Sequence, residues 1–303
     1  MIQSVAVTNH AGESLLMELS KPWQTGFLIT SIDGLGEVNA NINFTDLVTA
    51  DGSIDNFARL GNRNIVLNLT FMSDKLSIEE CRMKSYKYFP VKKNVTFYVK
   101  TDSRFVKTEG RVEANDPDIF SDKEGCQISI LCPDPYFYDA NGDQETLFYG
   151  VNPLFEFPFS NESLTEKLIE FGEIRLKHED VIIYDGEGDT GFEIYIHATG
   201  DVTELRIFNT KTREMTGIDD DRFKAICGSG IKKGDTIIVS SIVGRKGAVL
   251  FRDGLEFNIL NALIRPLVWF ILEKGANKFA FTTKKGATKL EFKIRNRILF
   301  NGV

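Results

Sequence analysis

Three kinds of side chain in this sequence could do chemistry: histidines, cysteines and a run of aspartates. The histidines are His10, His178 and His197, and an imidazole titrates near neutral pH, as a general acid or base must. We place His10 in a turn, His178 in a charged stretch and His197 in a strand. No nucleophile motif and no His-Glu-x-x-His pattern accompanies them in the sequence. We therefore interpret them as structural or surface residues and predict no catalytic residue.

The cysteines and the aspartates do not have the spacing of a metal site. Cys81, Cys126, Cys132 and Cys227 include no Cys-x-x-Cys pair, so four thiols, free and mostly buried, are favoured over a disulfide or a zinc site. The triplet Asp219-Asp220-Asp221 lacks the alternating oxygen ligands and distal Glu of a calcium loop. We expect it to be a solvated turn, and we predict no metal and no other cofactor.

Charge and hydropathy argue against stable nucleic-acid binding and against membrane insertion. The net charge is −7, which disfavours adhesion to a polyanion. The cluster Lys284-Lys285, with Lys289 and Lys293 beyond it, is interpreted as a hairpin tip and a strand face. The apolar run near Trp269 is too short to span a membrane, and the N-terminus shows no secretion signal.

The elements that would position any site are mostly strands. Phenylalanine is abundant, at 24 residues, and tryptophan is scarce, at 2, which favours strands over helices. Apolar runs and short turns predict strands within residues 1–32, 95–113 and 125–132. One helix is predicted over 77–89, because Ser77 and Glu80 form a capping box and Pro90 follows the end.

A change of pattern after residue 132 predicts two domains. Pro133-Asp134-Pro135 ends a strand, and from residue 173 short strands alternate with Asp- and Gly-rich turns, as in a β-sandwich. Only residues 258–270 break that pattern, as a loop with one irregular turn. We predict an N-terminal domain over 1–138, a crossover linker over 139–165 and a C-terminal β-sandwich over 166–303. The fold class is mainly β.

Residues 37–59 are the part of the chain that most favours assembly. They form a long insertion of mixed polar and apolar residues, interrupted by the turn Ala50-Asp51-Gly52-Ser53. Within a monomer such a strand pair would expose unprotected edges. We predict that residues 39–56 form an arm or hairpin against an adjacent subunit, with a purely intramolecular hairpin as the alternative. The predicted subunit-interface residues are Asn39, Asn41, Asn43, Phe44, Asp51, Ile54, Phe57, Arg59 and Arg63.

Four short stretches together resemble the distal tail protein family (Dit) of phages with long tails. Each is glycine- or proline-based, and their order and spacing cover nearly the whole chain. They are Ile32-Asp33-Gly34-Leu35-Gly36 with the alternation 39–45, the run 50–65, the strand end Pro133-Asp134-Pro135-Tyr136-Phe137, and residues 233–237 followed by 270–279.

The resemblance implies a structural virion protein at the phage tail tip or baseplate, assembled in the bacterial host cytoplasm, and no enzyme. Copies of the chain would form a ring, typically a hexamer, at the distal end of the tail tube, with a channel for DNA. The N-terminal β-sandwich with its helix would build the ring, and a galectin-like C-terminal β-sandwich would project outward. The implied partners are the tail tube protein, the tail-associated lysin or tail fibre hub protein, and receptor-binding proteins.

Carbohydrate binding through the C-terminal sandwich, for host-surface attachment, is the alternative function. Trp269, Phe251 and Phe257 could stack on sugar rings, although aromatics at strand spacing more often belong to a core. Galectins use a polar strand face with His, Asn and Arg, and no His-x-Asn-x-Arg run is present here. A shared fold would not carry that function by itself.

Overall fold

The structure, a computed structural model, describes residues 1–153, 172–176 and 179–303. The described chain divides into two compact units, Met1–Gly142 with Leu299–Val303, and Asp143–Ile298. The last five residues thus belong to the first unit, because the strand Leu299–Phe300 pairs with Phe137–Asp139. The predicted C-terminal domain, 166–303, included them. Residues 154–165 of the predicted linker lie outside the described residues.

The first unit is built on one antiparallel sheet with the strand order β2-β1-β7-β8-β9-β6-β3. In addition, β10 pairs with β8, and among the described strands β4 and β5 pair only with each other. The strands of this unit are β1 (Ile2–Thr8), β2 (Ser14–Glu18), β3 (Phe27–Asp33), β4 (Ala40–Asp46), β5 (Ser53–Leu60), β6 (Arg63–Phe71), β7 (Asn94–Thr101), β8 (Phe105–Asp118), β9 (Gly125–Cys132) and β10 (Phe137–Asp139).

The core of the first unit follows from the period-2 alternation of these strands. In β6, for example, Ile65, Leu67 and Leu69 are buried while the residues between them face outward. Helix α1 (Ile78–Tyr88) covers part of this core and buries Cys81. Its predicted capping box is confirmed: Ser77 accepts a hydrogen bond from the Glu80 amide, and the Glu80 carboxylate accepts one from the Ser77 amide. A single-turn 3₁₀ helix spans Pro22–Gln24.

The second unit contains two larger sheets and one two-stranded ribbon. The six-stranded sheet has the order β11-β22-β15-β18-β19-β20, the four-stranded sheet has the order β14-β21-β16-β17, and β12 pairs with β13. The strands are β11 (Gln144–Leu147), β12 (Tyr149–Pro153), β13 (Gly172–Leu176), β14 (Glu179–Tyr184), β15 (Phe192–Ala198), β16 (Arg206–Asn209), β17 (Glu214–Gly217), β18 (Thr236–Ser240), β19 (Gly247–Arg252), β20 (Leu255–Asn258), β21 (Gly275–Thr282), β22 (Leu290–Asn296) and, back in the first unit, β23 (Leu299–Phe300).

One apolar core joins the two larger sheets of the second unit. Phe192 of the six-stranded sheet lies with its ring centroid 5.2 Å from that of Phe279 in the four-stranded sheet, in an edge-to-face arrangement. The ring of Phe270 also packs against Phe279, with the ring centroids 5.6 Å apart. The predicted β-sandwich and the mainly β fold class are confirmed.

The expectation that Asp219-Asp220-Asp221 is a solvated turn is wrong, because the triplet begins a helix. Asp219 is the N-cap of α2 (Asp220–Cys227), and its carboxylate accepts hydrogen bonds from the amides of Asp221 and Arg222. Gly228, in the left-handed region, ends the helix. The loop 258–270 contains a single 3₁₀ turn, Leu260–Ala262, as predicted; a further one spans Ala287–Lys289.

Candidate functional site

The hairpin formed by β4 and β5 is the most exposed structured part of the first unit. Every residue of both strands is exposed, and the two strands pair from Ala40–Leu60 at the root to Asp46–Ser53 near the tip. An isolated two-stranded hairpin is at best marginally stable in water. In the first unit, no other element covers these two strands.

The register of the hairpin separates two faces, because directly paired residues of antiparallel strands point to the same side. A bulge between Asn43 and Phe44 shifts the pairing by one residue. The first face, here called the apolar face, carries Ala40, Ile42, Phe44, Ala58 and Leu60, and toward the tip it also carries Asp46, Ser53 and Asp55. The second, here called the mixed face, carries Asn41, Asn43, Thr45, Ile54, Phe57 and Arg59.

The bulge on the mixed face is held by an amide network. The side-chain amide of Asn56 donates to Asn43 Oδ1 at 2.6 Å and to Thr45 Oγ1 at 2.7 Å. The guanidinium carbon of Arg59 lies 5.9 Å from the centroid of the Phe57 ring. These contacts join the two strands at the bulge and leave the Phe44 and Phe57 side chains exposed.

The tip of the hairpin presents apolar and acidic groups together. Val48 is 100% exposed, and Leu47 beside it is 41% exposed. Asp51 lies in the turn that the Leu47–Gly52 backbone hydrogen bond closes, at 3.1 Å. Adjacent exposed apolar side chains of this kind are common at contact surfaces.

The structure places most of the predicted interface residues on this hairpin but distributes them over its parts. Phe44 lies on the apolar face and Asp51 lies at the tip. The five predicted residues on the mixed face are Asn41, Asn43, Ile54, Phe57 and Arg59. The Asn39 carbonyl accepts a hydrogen bond from the Gly61 amide at the root, at 3.3 Å. Sequence reasoning missed Ile42, Ala58 and Leu60, whose shared face becomes visible only with the register.

Arg63 does not fit the predicted interface, because its side chain is only 1% exposed. Its guanidinium donates to four backbone carbonyls: those of Pro135, Gly34, Gly36 and Asn301, at 2.8, 2.5, 2.6 and 2.7 Å. It also lies 4.2 Å from the centroid of the Phe137 ring. Burial lowers the pKa of this guanidinium. Arg63 thus fixes the root of the hairpin instead of meeting a partner.

Steric constraints explain why a glycine occupies the loop before the hairpin. Gly34 has φ +84°, and a Cβ there would lie 2.0 Å from the Asn64 carbonyl oxygen. Only glycine allows this backbone to approach β6 and to turn its carbonyl toward Arg63. The motif of residues 33–36 is therefore an anchor for the hairpin.

The residues considered for chemistry are dispersed. His10 is exposed in a turn, His197 shares a hydrogen bond with Thr236 at 3.0 Å on an exposed strand face, and His178 lies outside the described residues. In the described part of the chain, no three His, Cys, Asp or Glu side chains are grouped closely enough to hold a metal ion. The cysteines are free thiols; Cys81, Cys126 and Cys132 are buried and Cys227 is half-buried. Among the described helices, none is long and apolar enough to cross a membrane.

The aromatics proposed for sugar stacking do not share one surface. Phe257 pairs with Leu250 and points inward, whereas its neighbour along the sheet, Phe251, points outward. Trp269 packs against the core, with the Lys246 ammonium 5.9 Å from its ring centroid. No observation in the described residues favours a sugar site over a core role for Trp269 and Phe257.

Neither a protein-family model nor a curated protein sequence matches this chain. Solved structures do. The Dit protein of phage SPP1, described as a paradigm of the hub adsorption apparatus in phages that infect Gram-positive bacteria, has a TM-score of 0.62 and 12% sequence identity. The match covers 97% of this chain and 99% of the SPP1 protein.

Two structures of the phage P2 baseplate in its activated conformation are also similar, with lower scores. The calcium form has a TM-score of 0.46 at 13% identity, and the strontium form has 0.44 at 12%. Each match covers 98% of both chains. Of these three structures, SPP1 Dit has the TM-score above 0.5 that supports a shared fold. Over nearly its full length, this chain has the fold of the phage SPP1 Dit protein.

Proposed function

We propose that this chain is a structural subunit of a phage baseplate hub, a distal tail protein located in the virion at the tail tip. The observation that carries the proposal is the SPP1 Dit fold over 97% of the chain. The fully exposed hairpin of β4 and β5 supports it, since a surface of this kind needs a partner. The role is architectural and involves no catalysis.

The hairpin gives the proposed assembly its geometry. A closed ring needs a heterologous interface, in which two different patches of one subunit meet the complementary patches of its neighbours. A projecting hairpin supplies one patch, and the body of the adjacent first unit supplies the other. We propose six copies per ring, by analogy with the family that the sequence resembles.

The ring would join the tail tube to the rest of the baseplate and leave a channel for DNA. Its partners would be the tail tube protein on one side and the tail-associated lysin or fibre hub protein on the other, with receptor-binding proteins attached. A channel should not retain a polyanion, and affinity for DNA comes from neutralised phosphates. The net charge of −7 suits such a channel. Sub-micromolar binding of duplex DNA at physiological salt would contradict this part of the proposal.

Light scattering after size exclusion, with negative-stain images of the same peak, tests the proposal. We expect a closed ring with a central hole for the full chain, and a folded monomer after deletion of residues 40–56. Circular dichroism of the deletion variant controls for unfolding. If rings with the same mass persisted after the deletion, the hairpin would not be the assembling element.

A further inference from the structure

A cleft of about 570 Å³ lies on the outward face of the first unit's sheet. It crosses β1, β7, β8 and β9 where these strands are paired through Thr8–Thr96, Asn94–Arg111 and Arg111–Leu131. Asn62, at the root of the hairpin, forms one side. The residues that matter for its chemistry are Thr96, Glu109, Arg111, Leu131 and Pro133.

The floor of the cleft is apolar, the charged residues of its lining are Arg111 and Glu109, and two exposed lysines lie beside it in the chain. Leu131 is 39% exposed there. Arg111 donates to Asn94 Oδ1 at 3.1 Å, and exposed Lys92 and Lys93 immediately precede Asn94. Among the ion pairs of the described residues, none involves these three cations. Glu109 is the one carboxylate among the lining residues.

The hairpin beyond its root at Arg59 and Leu60 is acidic and contains no basic residue. Residues 40–58 carry Asp46, Asp51 and Asp55 and contain no lysine or arginine. Between these carboxylates, Leu47 and Val48 are exposed. The apolar tip with its carboxylates is complementary to the apolar floor, which has Arg111 in its lining and Lys92 and Lys93 beside it in the chain.

A hairpin cannot place its tip in the cleft beside its own root. Seven paired residues at about 3.3 Å each extend the tip roughly 23 Å away from the root, and the described strands pair without a fold-back. The acceptor must therefore belong to another copy of the chain.

We propose that the hairpin tip of one copy, residues 46–55, docks in the Arg111–Leu131 cleft of the next copy. This inference rests on the proposed function and adds the acceptor site to it. The tip and the cleft are different patches of the same subunit. When two copies bind, one copy keeps a free tip and the other keeps a free cleft, so further copies can add until a ring closes. In a ring with sixfold symmetry, the distance between the same atom in two adjacent subunits equals the distance of that atom from the ring axis. The hairpin roots should then lie at a radius of roughly 25 Å.

Charge reversal tests the pairing in the full chain. Lys93→Glu with Arg111→Glu reverses the cleft, and Asp51→Lys with Asp55→Lys reverses the tip. We expect each double variant to raise the protein concentration needed for half-assembly by at least about tenfold. Combining all four changes in one chain should restore assembly to within about threefold of the wild type, because every tip again meets a complementary cleft. A quadruple variant no better than either double variant would overturn the inference.

Disulfide trapping tests the same contact even where assembly is weak. Val48→Cys with Leu131→Cys should give a ladder of cross-linked oligomers under mild oxidation. Val48→Cys with Lys123→Cys is the matched control, since Lys123 lies in the turn at the opposite end of β9. Burial raises the pKa of the native thiols of Cys81, Cys126, Cys132 and Cys227, so these react slowly. Equal ladders from the two pairs would contradict docking in the cleft.

The outcomes separate this inference from the function on which it rests. If deletion of residues 40–56 abolishes the ring while charge reversal and trapping have no effect, the hub function stands and the cleft is not the acceptor. If the deletion leaves the ring intact, the proposed role of the hairpin fails, and the cleft inference fails with it.

Discussion

The guanidinium of Arg252 and the carboxylate of Asp235 meet through two hydrogen bonds in the interior of the second unit. Nε donates to Oδ1 at 2.7 Å and Nη2 donates to Oδ2 at 2.5 Å, and the two side chains are 6% and 1% exposed. Arg252 also donates to Ser229 Oγ and to the Gly230 carbonyl. The pair ties the segment after α2 to strand β19, and its hydrogen bonds raise the pKa of Arg252.

Removing one partner of this pair should destabilise the second unit strongly. Asp235→Asn leaves a buried guanidinium without its counter-charge, and we expect the free energy of unfolding to fall by about 3–5 kcal/mol. The two tryptophans, Trp23 and Trp269, lie in different units. Urea unfolding followed by tryptophan fluorescence in a Trp23→Phe background therefore reports the second unit alone.

The exposed ion pair between Lys232 and Asp253 provides the matched control. Its atoms are 3.2 Å apart and its side chains are 45% and 78% exposed. Asp253→Asn should cost less than about 1 kcal/mol. If the two Asp→Asn changes had equal effects on the unfolding free energy of the second unit, the buried pair would contribute no more to stability than the exposed pair.

Arg63 should control the hairpin root without contacting a partner. Arg63→Met removes donors from four backbone carbonyls, and we expect the first unit to lose at least about 3 kcal/mol of unfolding free energy. Trp23 fluorescence in a Trp269→Phe background measures that loss. Limited proteolysis should also become faster within residues 34–62. Arg59→Met, on the exposed mixed face, should change neither quantity in the monomer.

Local sequence patterns predicted the strands that alternate and the helix that carries its own caps. Ser77 and Glu80 encode the start of α1 within four residues, and alternation in β6 identifies its buried face. The start of α2 was missed because its Asp219 cap was interpreted as part of an acidic turn, and eight residues give a weak helical period. The start of each helix and the buried face of β6 depend on interactions between residues that are close in the sequence.

The role of Arg63 could not be predicted in this way. Its acceptors come from residues 34–36, Pro135 and Asn301, which are distant in sequence. Similarly, the composition of residues 39–59 indicates a partner surface, but the bulge after Asn43 decides which side chains share a face. A one-residue change in register reverses every side chain beyond it. The subunit interface itself stays a prediction.

The two faces of the hairpin should contribute unequally to assembly. On the apolar face, Ala40, Ile42, Ala58 and Leu60 form an uncharged stretch that ends at the pair Phe44–Asp55. The mixed face carries Arg59 and the amides of Asn41, Asn43 and Asn56. We expect Phe44→Asp to prevent ring formation by light scattering and Phe57→Asp to weaken it less. Both side chains are exposed in the single chain, so Phe57→Asp should alter monomer unfolding by no more than about 0.5 kcal/mol. Phe44→Asp, which faces Asp55, should alter it by no more than about 1 kcal/mol. Equal losses would mean that both faces are covered.

Stability of the first unit should fall in alkali through a buried thiol. Burial raises the pKa of Cys126 from 9.0 to about 12, so the folded state keeps the proton that the unfolded state releases above pH 9. Stability is therefore complete below pH 9 and declines as the pH rises toward 12. The slope from this one group is at most about 1.4 kcal/mol per pH unit.

Comparison of the wild type with Cys126→Ala isolates this effect, because all other titrating groups are shared. The difference in unfolding free energy between the two proteins should be constant from pH 6 to 8, where the thiol is protonated in both states. Above pH 9 the difference should shrink, since only the wild type loses stability through Cys126. Trp23 fluorescence in a Trp269→Phe background gives both curves. A difference that stayed constant through pH 11 would mean that the Cys126 thiol ionises in the folded protein at its ordinary pKa, and that strand β9 is open to water at that position.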